Sequence, residues 1–313
     1  SQIDLTWRKD RKKSTPLLTH LKAELVRRLN RDYPNGPVET YYPSGGSRTI
    51  YGELQSRIDR SPTTSFLFNC EVVAINRANH TVRSIEVRDQ AAKTTRTIFG
   101  TQFISTIPVT ELIRKMHPPP PEEILGIVDS FCYRQLVLAN LIVDLARPFP
   151  YSWVEVHSTH LQSGRITNFA GLSNEMGSGD ERVPICLEYY CFEDDDLWRM
   201  KDDEVLSLAN NELRAMGLIR PRQACEGFVK RLRYAYPIHL LGCSQLRIRL
   251  KEYLSQFSNL QSIGRGGIHR YNNMGHSIES GLWAADNLLN GKSHDLWDRN
   301  VNDAGQGYSV GSI

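Results

Sequence analysis

The sequence lacks the residue spacings that indicate a structural metal site. None of its six cysteines falls in a C-x-x-C pair, and no pair of histidines has the spacing of zinc ligands. Several cysteines lie within apolar runs, which is typical of buried free thiols in a reducing compartment. The sequence therefore predicts no metal and a cytoplasmic location.

Long apolar runs and a strong net charge are also missing. The most apolar stretch, residues 136–146, is too short to span a bilayer and contains Asn140 and Asp144, so we expect no integral membrane segment. No signal peptide is expected. The formal net charge of +3 does not favour nucleic acid as a partner. A basic cluster at residues 8–13 could meet an acidic partner or a membrane surface, or could be a solvated face.

The composition fits a globular protein of one large α/β unit or two domains. The chain has 313 residues, of which 40% are hydrophobic and 23% are charged. This length is sufficient to bury a hydrophobic core.

The stretch from Asn259 to Gly291 carries the clearest pattern. A short apolar run ends at a glycine-rich segment, 264–267, and a polar loop then leads into a helix. Ile278, Leu282, Ala285 and Leu289 give that helix an apolar stripe, with Asn273 or Ser277 as N-cap and Gly291 past its end. Glycines, a helix start and Arg265 favour an anion or a polarised carbonyl, although an ordinary βα turn has the same spacing.

The whole string G-R-G-G-x-x-R-Y-x-x-M-x-x-S-I resembles the C-terminal FAD-binding signature of one flavoprotein superfamily. That superfamily contains the flavin amine oxidases, protoporphyrinogen oxidase and UDP-galactopyranose mutase. Relatives often carry Asp at the position of Gly275. An earlier segment, Tyr42-Pro43-Ser44-Gly45-Gly46, resembles the Y-P-x-G-G element that precedes a helix near the flavin.

The resemblance implies FAD as cofactor and assigns residues to it. The segment Gly264–Gly267 would follow the pyrophosphate and ribityl chain, and the helix start would face the pyrimidine end of the flavin. A strand at 71–75 would contact the adenine through its backbone. The implied cofactor-binding residues are Gly45, Gly46, Val72, Val73, Gly264, Arg265, Gly267, Met274, Gly275, His276 and Ser277.

Substrate contacts are predicted from the resemblance and from one strand-like segment. Tyr271 matches a tyrosine that helps to hold the substrate in UDP-galactopyranose mutase, or it is a core or surface residue. Arg233 and Tyr236 belong to an alternating Arg/Tyr segment that could line a pocket for an anion, or could face outward. Asp194–Asp196 is interpreted as a capping or solvated turn. No catalytic residue is predicted, because the flavin would carry the chemistry.

The remaining elements follow from periodicity and turn residues. The predicted helices open at Thr15-Pro16, follow Gly46, and cover 202–216 and 244–257. The predicted strands cover 66–68, 71–75, 82–88, 94–99, 103–107, 135–143, 153–157, 165–169, 184–192 and 226–233. Residues 118–121 form a proline-rich connector and a candidate domain boundary.

We therefore expect an α/β chain, α+β overall, with a doubly wound FAD/NAD(P)-binding fold and an inserted antiparallel-sheet substrate domain. Residues 1–117 and 258–291 would form the FAD-binding domain, 118–257 the substrate domain and 292–313 an irregular tail. The G-x-G-x-x-G unit that begins the family pattern is not in this sequence, so the fold is expected to be N-terminally incomplete. Either that segment is supplied elsewhere, or the fragment is poorly stable, or the fold has been repurposed.

Three functions fit these observations. The first is an FAD-dependent oxidoreductase that transfers hydride or electrons between a small-molecule substrate and FAD. The second is an enzyme similar to UDP-galactopyranose mutase, which uses reduced flavin on a nucleotide sugar without net redox change. The third is a non-catalytic remnant or binding module without flavin.

Overall fold

The computed structural model describes residues 42–146, 149–177, 182–221 and 225–297. The helix predicted to open at Thr15-Pro16 lies outside these ranges, as does most of the predicted tail. Among the described residues, no helix is both long and apolar enough to cross a membrane.

The described part has a mixed α/β architecture. Its helices are α1 (Arg48–Asp59), α2 (Val109–Arg114), α3 (Glu122–Asp129), α4 (Asp196–Arg199), α5 (Asp202–Ala215), α6 (Cys243–Ser255), α7 (Gly264–Gly267) and α8 (Met274–Asn290). Its strands are β1 (Cys70–Ala78), β2 (Thr81–Asp89), β3 (Thr95–Phe99), β4 (Phe103–Ser105), β5 (Met116–His117), β6 (Cys132–Asp144), β7 (Trp153–Glu155), β8 (Arg165–Asn168), β9 (Arg182–Cys191), β10 (Glu226–Ile238) and β11 (Leu260–Ser262).

These elements form two compact units. Of the described residues, unit 1 contains 68–132 and 237–297, and unit 2 contains 42–67 and 133–236. The structural boundaries therefore differ from the predicted 117/118 and 257/258, because α3 and α6 bury Val128, Leu250 and Leu254 in the core of unit 1. The assignment of a FAD-binding and a substrate domain stays a prediction.

Unit 1 contains a four-stranded sheet in the order β3-β2-β1-β5. The predicted hairpin of 82–88 and 94–99 is confirmed by the antiparallel pair β2–β3. The register of β1 against β2 passes from Val72↔Val87 to Ala74↔Glu86. Val73 is thus an extra residue in the ladder, a β-bulge.

A second, two-stranded sheet in unit 1 pairs β4 with β11 in parallel. Asn259, just before β11, fixes it against β2: its Oδ1 accepts the Val82 N–H at 2.9 Å and its Nδ2 donates to the Val82 carbonyl at 2.8 Å. The strand predicted at 103–107 ends at Ser105, and Ile104 is 45% exposed. It is therefore less buried than its apolar sequence predicts.

Unit 2 is built on a five-stranded sheet in the order β10-β6-β9-β8-β7. The pairs β6–β9, β8–β9 and β7–β8 are antiparallel, as predicted for this region. Alternate residues of β6, such as Val137 and Leu141, are buried in one cluster with Val205 and Leu213 of α5. The other face of β8 and β9 carries polar and aromatic side chains, so the alternation separates an apolar core face from a polar face.

Several expectations are corrected by the structure. The strand predicted at 66–68 is wrong: these residues are irregular and partly exposed, and Asn69 follows with φ of 54°. Helix α3 was not predicted. The N-cap of α5 is Lys201, one residue before the predicted Asp202.

Helix α8 matches its predicted limits but turns a different face inward. Asn273 is its N-cap and Gly291 is left-handed at its end. The buried residues are Ser280 and Ala284, whereas Leu282 and Leu289 of the apolar stripe are 65% and 81% exposed. The small residues bring the backbone close to β11, since Gln261 Nε2 donates to the Ala284 carbonyl at 3.2 Å.

Candidate functional site

The carboxyl ends of β4 and β11 lead into the candidate site of unit 1. Because the two strands are parallel and paired at Ser262↔Ser105, the segments that follow them leave the sheet at the same edge. Helix α2 follows β4, and the one-turn helix α7 follows β11. Ligands of open α/β sheets bind at this kind of edge.

The glycines of α7 allow a close approach to the end of β4. A Cβ on Gly266 would lie 3.3 Å from Pro108 N, and one on Gly267 would lie 2.9 Å from Ser262 Oγ. Gly264 has φ of +74°, which favours glycine. The close packing of α7 against neighbouring backbone and side chains therefore explains why positions 266 and 267 are glycine, without any ligand.

The Arg265 side chain contacts and stabilises the loop between α7 and α8. Its Nε donates to the Asn272 carbonyl at 2.8 Å, and its guanidinium lies 4.4 Å from the centre of the Tyr271 ring. These contacts hold residues 270–273 over α7, immediately before α8 begins. The predicted cofactor residue Arg265 and the predicted substrate residue Tyr271 are thus neighbours in the structure.

The start of α8 presents backbone donors. The first amides of α8, at Met274 and Gly275, have no acceptor within the helix, and the helix dipole favours negative charge there. The His276 N–H is capped by the Asn273 side chain. Met274 is 45% exposed, and no atom lies within 4 Å of a Cβ built on Gly275. The Asn273 N–H donates to His276 Nδ1 at 3.2 Å, which orients the imidazole. The helix start is therefore open in front of Gly275. Ser277 lies two residues farther along the helix, and its N–H donates to the Asn273 carbonyl.

His269 lies in the same loop, where the resemblance would place it facing the flavin, but its side chain points into the protein. Its side chain is fully buried, packs edge-on against Phe131 with centroids 4.3 Å apart, and contacts the Ile238 carbonyl at 3.3 Å through Nε2. Burial lowers its pKa to about 3, so the imidazole is neutral at physiological pH. It supports the loop rather than acting as an acid.

A small cavity lies beneath the loop. It has a volume of about 20 Å³ and is lined by Ile268, Arg270, Asn272, His276, Ser280, Trp283 and Leu296. This space is enough for a water molecule but far too small for a flavin ring. The open surface in front of Gly275 is therefore the better candidate for a cofactor.

The other predicted cofactor residues lie in different elements. In unit 1, Val72 packs against the core, and Val73 is the bulged residue of β1. In unit 2, Gly46 closes a turn before α1: its N–H donates to the Pro43 carbonyl at 2.8 Å, and its φ is +82°. A Cβ on Gly45 would lie 2.7 Å from Thr49 Cγ2, so the turn itself accounts for both glycines.

The predicted substrate residues of unit 2 lie on β10. Arg233 pairs with Glu193, and its guanidinium lies 5.7 Å from the centre of the Tyr234 ring. The ring of Tyr236 contacts Tyr190 with centroids 5.8 Å apart. Tyr236 thereby borders a polar cluster that the sequence analysis missed.

That cluster centres on a partly buried ion pair between β8 and β9. Arg165 Nε donates to Glu188 Oε1 at 2.8 Å, and its Nη2 donates to Oε2 at 2.6 Å. Tyr190 donates to the same carboxylate at 3.3 Å, and the Trp153 ring lies 6.0 Å from the guanidinium. The hydrogen bonds to Glu188 raise the pKa of Arg165 above its ordinary value. The sequence signal for this pair was one charged residue on the polar face of each strand, Arg165 in β8 and Glu188 in β9.

A second buried carboxylate has a structural role in unit 2. Glu212 of α5 accepts the backbone N–H groups of Gln162 and Ser163 and the Tyr189 hydroxyl, the latter at 3.2 Å. Burial, followed by the charge of Glu212, raises the pKa of Tyr189. No group of three or more His, Cys, Asp or Glu residues within the described ranges is arranged to hold a metal ion.

Comparisons with known proteins find similar structures but no significant sequence match. No protein-family model and no curated protein sequence matches the chain significantly. The structure is similar to a reduced UDP-galactopyranose mutase, with a TM-score of 0.72 and 19% identity over 97% of this chain and 63% of that one. It is similar to a protoporphyrinogen oxidase-like protein from an Exiguobacterium species, with a TM-score of 0.59 and 12% identity over 90% of this chain and 57% of that one.

An oxidoreductase from Methanosarcina mazei is a more distant neighbour, with a TM-score of 0.50 and 13% identity over 72% of this chain and 50% of that one. The chain thus has the fold of these proteins, as the sequence resemblance predicted, and spans less than two thirds of the length of each.

Proposed function

We propose that unit 1 binds FAD and that the chain serves as the later part of an FAD-dependent oxidoreductase. One observation carries this proposal: the parallel strands β4 and β11 deliver a glycine turn and an open helix start to one edge of the sheet, within a fold similar to UDP-galactopyranose mutase. The substrate would be a small molecule that exchanges hydride or electrons with the flavin.

The residues at that edge fit the cofactor chemically. FAD would supply the redox chemistry, and the protein would bind, orient and polarise it. The amides of Met274 and Gly275 would donate to the electron-rich pyrimidine edge, with His276 and Ser277 behind them. Gly264, Arg265 and Gly267 would hold the adjoining part of the cofactor, and Val73 would offer backbone groups that the bulge removes from the ladder. In unit 2, Gly45 and Gly46 remain proposed contacts.

In unit 1, Tyr271 is proposed as a substrate contact. The polar face of the sheet in unit 2 is proposed independently as a place where an anionic group binds. There Arg233, Tyr236 and Arg165 supply cationic and aromatic groups. Arg165 is held by Glu188 through Nε and Nη2, which leaves Nη1 to meet an anionic group.

UDP-galactopyranose mutase-like chemistry is the second candidate. The mutase has a higher TM-score with this chain, 0.72, than the protoporphyrinogen oxidase-like protein, 0.59. In this case the substrate would be a nucleotide sugar, and reduced flavin would act on it without net redox change. Turnover with reduced but not with oxidised flavin would select this candidate over the first.

We further propose that the doubly wound FAD-binding fold requires a βαβ segment that follows the G-x-G-x-x-G pattern and is supplied from elsewhere. Two paired strands are few for a parallel sheet, which is normally covered on both faces and extended by further strands. Such a segment would contact the part of FAD that the residues of unit 1 do not reach.

Visible absorption after incubation with FAD and desalting tests the proposal. A retained flavin band is expected, and it should increase when a βαβ segment is supplied. Gly275→Val should weaken FAD binding at least tenfold, because the new side chain enters the open space before α8 (about 1.4 kcal/mol). Gly281→Val, in the same helix and also in open space, is the matched control. A chain that takes up no flavin even beside the βαβ segment would instead be a non-catalytic remnant.

A further inference from the structure

Met274, at the start of α8, is the exposed methionine of this chain. All five methionines lie in the part that the structure describes, and Met274 is 45% exposed. Met116 is fully buried in the core of unit 1. Met200 and Met216 pack against the core of unit 2, and the Met176 side chain lies against a turn of the same unit. Because an oxidant reaches an exposed thioether first, Met274 is expected to be the most easily oxidised methionine.

The oxygen of a methionine sulfoxide at this position would lie close to free amides of α8. It is bonded to Sδ and is as many bonds from Cα as the side-chain oxygen of glutamine. In the first turn of a helix, Glu and Gln side chains reach back to unpaired backbone N–H groups. The Gly275 N–H is such a group, and a Cβ built on that residue meets open space. Oxidation would therefore turn an apolar side chain into a cap for the Gly275 amide.

We propose that Met274 is an oxidation site and that its sulfoxide occupies the helix start that would otherwise serve the cofactor. Hydrogen peroxide is the oxidant: the Sδ lone pair takes one oxygen, the O–O bond breaks, and the other oxygen leaves as water with both hydrogens. The sulfur gives up the electron pair that reduces the peroxide. The sulfoxide oxygen then accepts the Gly275 N–H, and a sulfoxide reductase reverses the change.

The sulfoxide and the cofactor compete for the same donor. The pyrimidine edge of a flavin and the sulfoxide oxygen are both acceptors, and the Gly275 N–H serves one of them at a time. By the reciprocity of linked equilibria, bound FAD would slow the oxidation of Met274 as much as oxidation weakens FAD binding. This competition rests on the proposed function, whereas the oxidation and the new hydrogen bond do not.

Mass spectrometry and hydrogen exchange test the oxidation without flavin. In dilute hydrogen peroxide, the full-length chain is expected to take up oxygen at Met274 about tenfold faster than at Met116. Amide exchange of Gly275, measured by NMR with isotope-labelled glycine, should become about fivefold slower in the oxidised chain, because the amide has gained an acceptor. Equal oxidation of the five methionines, or unchanged exchange at Gly275, would overturn the proposal.

Two variants of Met274 separate the sulfoxide from other effects of peroxide. Met274→Leu keeps an apolar side chain of similar volume, so peroxide should no longer change the exchange of Gly275. Met274→Gln carries its oxygen at the position of the sulfoxide oxygen and should slow that exchange without any peroxide. A peroxide response that persists in Met274→Leu would assign the effect to another residue and contradict the proposal.

Flavin titration tests the consequence for the cofactor. Beside the βαβ segment, the oxidised chain is expected to bind FAD about fivefold more weakly than the untreated chain, and Met274→Gln should bind more weakly without peroxide. Equal affinity before and after oxidation would show that the sulfoxide does not compete with the cofactor. An untreated chain that binds no FAD would instead refute the proposed function, and the oxidation site would then be judged by the exchange of Gly275 alone.

Discussion

Removing Arg165 and removing Glu188, the two partners of one ion pair, are expected to lower the stability of the protein by different amounts. The Glu188 side chain is 9% exposed and that of Arg165 is 32% exposed. Arg165→Met leaves a nearly buried carboxylate with neutral donors only, and should lower the free energy of unfolding by about 3–4 kcal/mol. Glu188→Leu leaves a guanidinium that water reaches in part, and should cost less, about 2–3 kcal/mol.

The double variant Arg165→Met/Glu188→Leu distinguishes a buried pair from independent contacts. Because neither charge is then left without a partner, its stability should lie within about 1 kcal/mol of the unmodified protein. Urea unfolding followed by amide exchange in β9 measures these differences in unit 2. Glu226→Gln is the control, since that side chain is 87% exposed, pairs with Arg182 at 3.6 Å, and should cost under about 0.5 kcal/mol. Single variants that cost no more than this control, or a double variant equal to their sum, would refute the reasoning.

Three further outcomes are expected. Glu212→Ala strands the buried Tyr189 hydroxyl and two backbone amides, so unit 2 should lose about 2–4 kcal/mol in urea unfolding, and less in a Tyr189→Phe background. Because burial lowers the pKa of His269 to about 3 from an unfolded value of 6.5, the unfolded chain binds the proton more readily, and stability should fall by about 2 kcal/mol between pH 7 and pH 5; His269→Phe should remove this slope. Burial raises the pKa of Cys186 to about 12, so iodoacetamide at pH 8 should modify Cys70 at least tenfold faster.

Helix limits were predictable where several local signals agreed. For α8, the N-cap Asn273, the helical periodicity and the left-handed Gly291 all lie in the sequence itself. The face that it buries depends on its neighbour. Only the structure shows that Ala284, through its carbonyl, approaches β11.

Errors arose where a short apolar run was taken as a strand. Residues 66–68 have strand-forming side chains but do not pair with a strand in the part of the chain that the structure describes, and such pairing is a tertiary property. The residues of the candidate site were predicted from the resemblance of a few short segments, whereas the Arg165–Glu188 pair depends on the register of two strands. Spacing along the chain does not fix that register.

The pairing of β4 with β11 also sets the time at which unit 1 can complete its fold during synthesis. The two strands are separated by the whole of residues 133–236, which belong to unit 2. At roughly 5–20 residues per second, a ribosome needs on the order of 10–30 s to travel from Ser105 to Ser262. Until then, the Val82 backbone lacks its hydrogen bonds to Asn259, and β4 lacks its partner β11. The strands of the five-stranded sheet are synthesised before β11. The inserted residues can therefore fold first, before the two parts of unit 1 join.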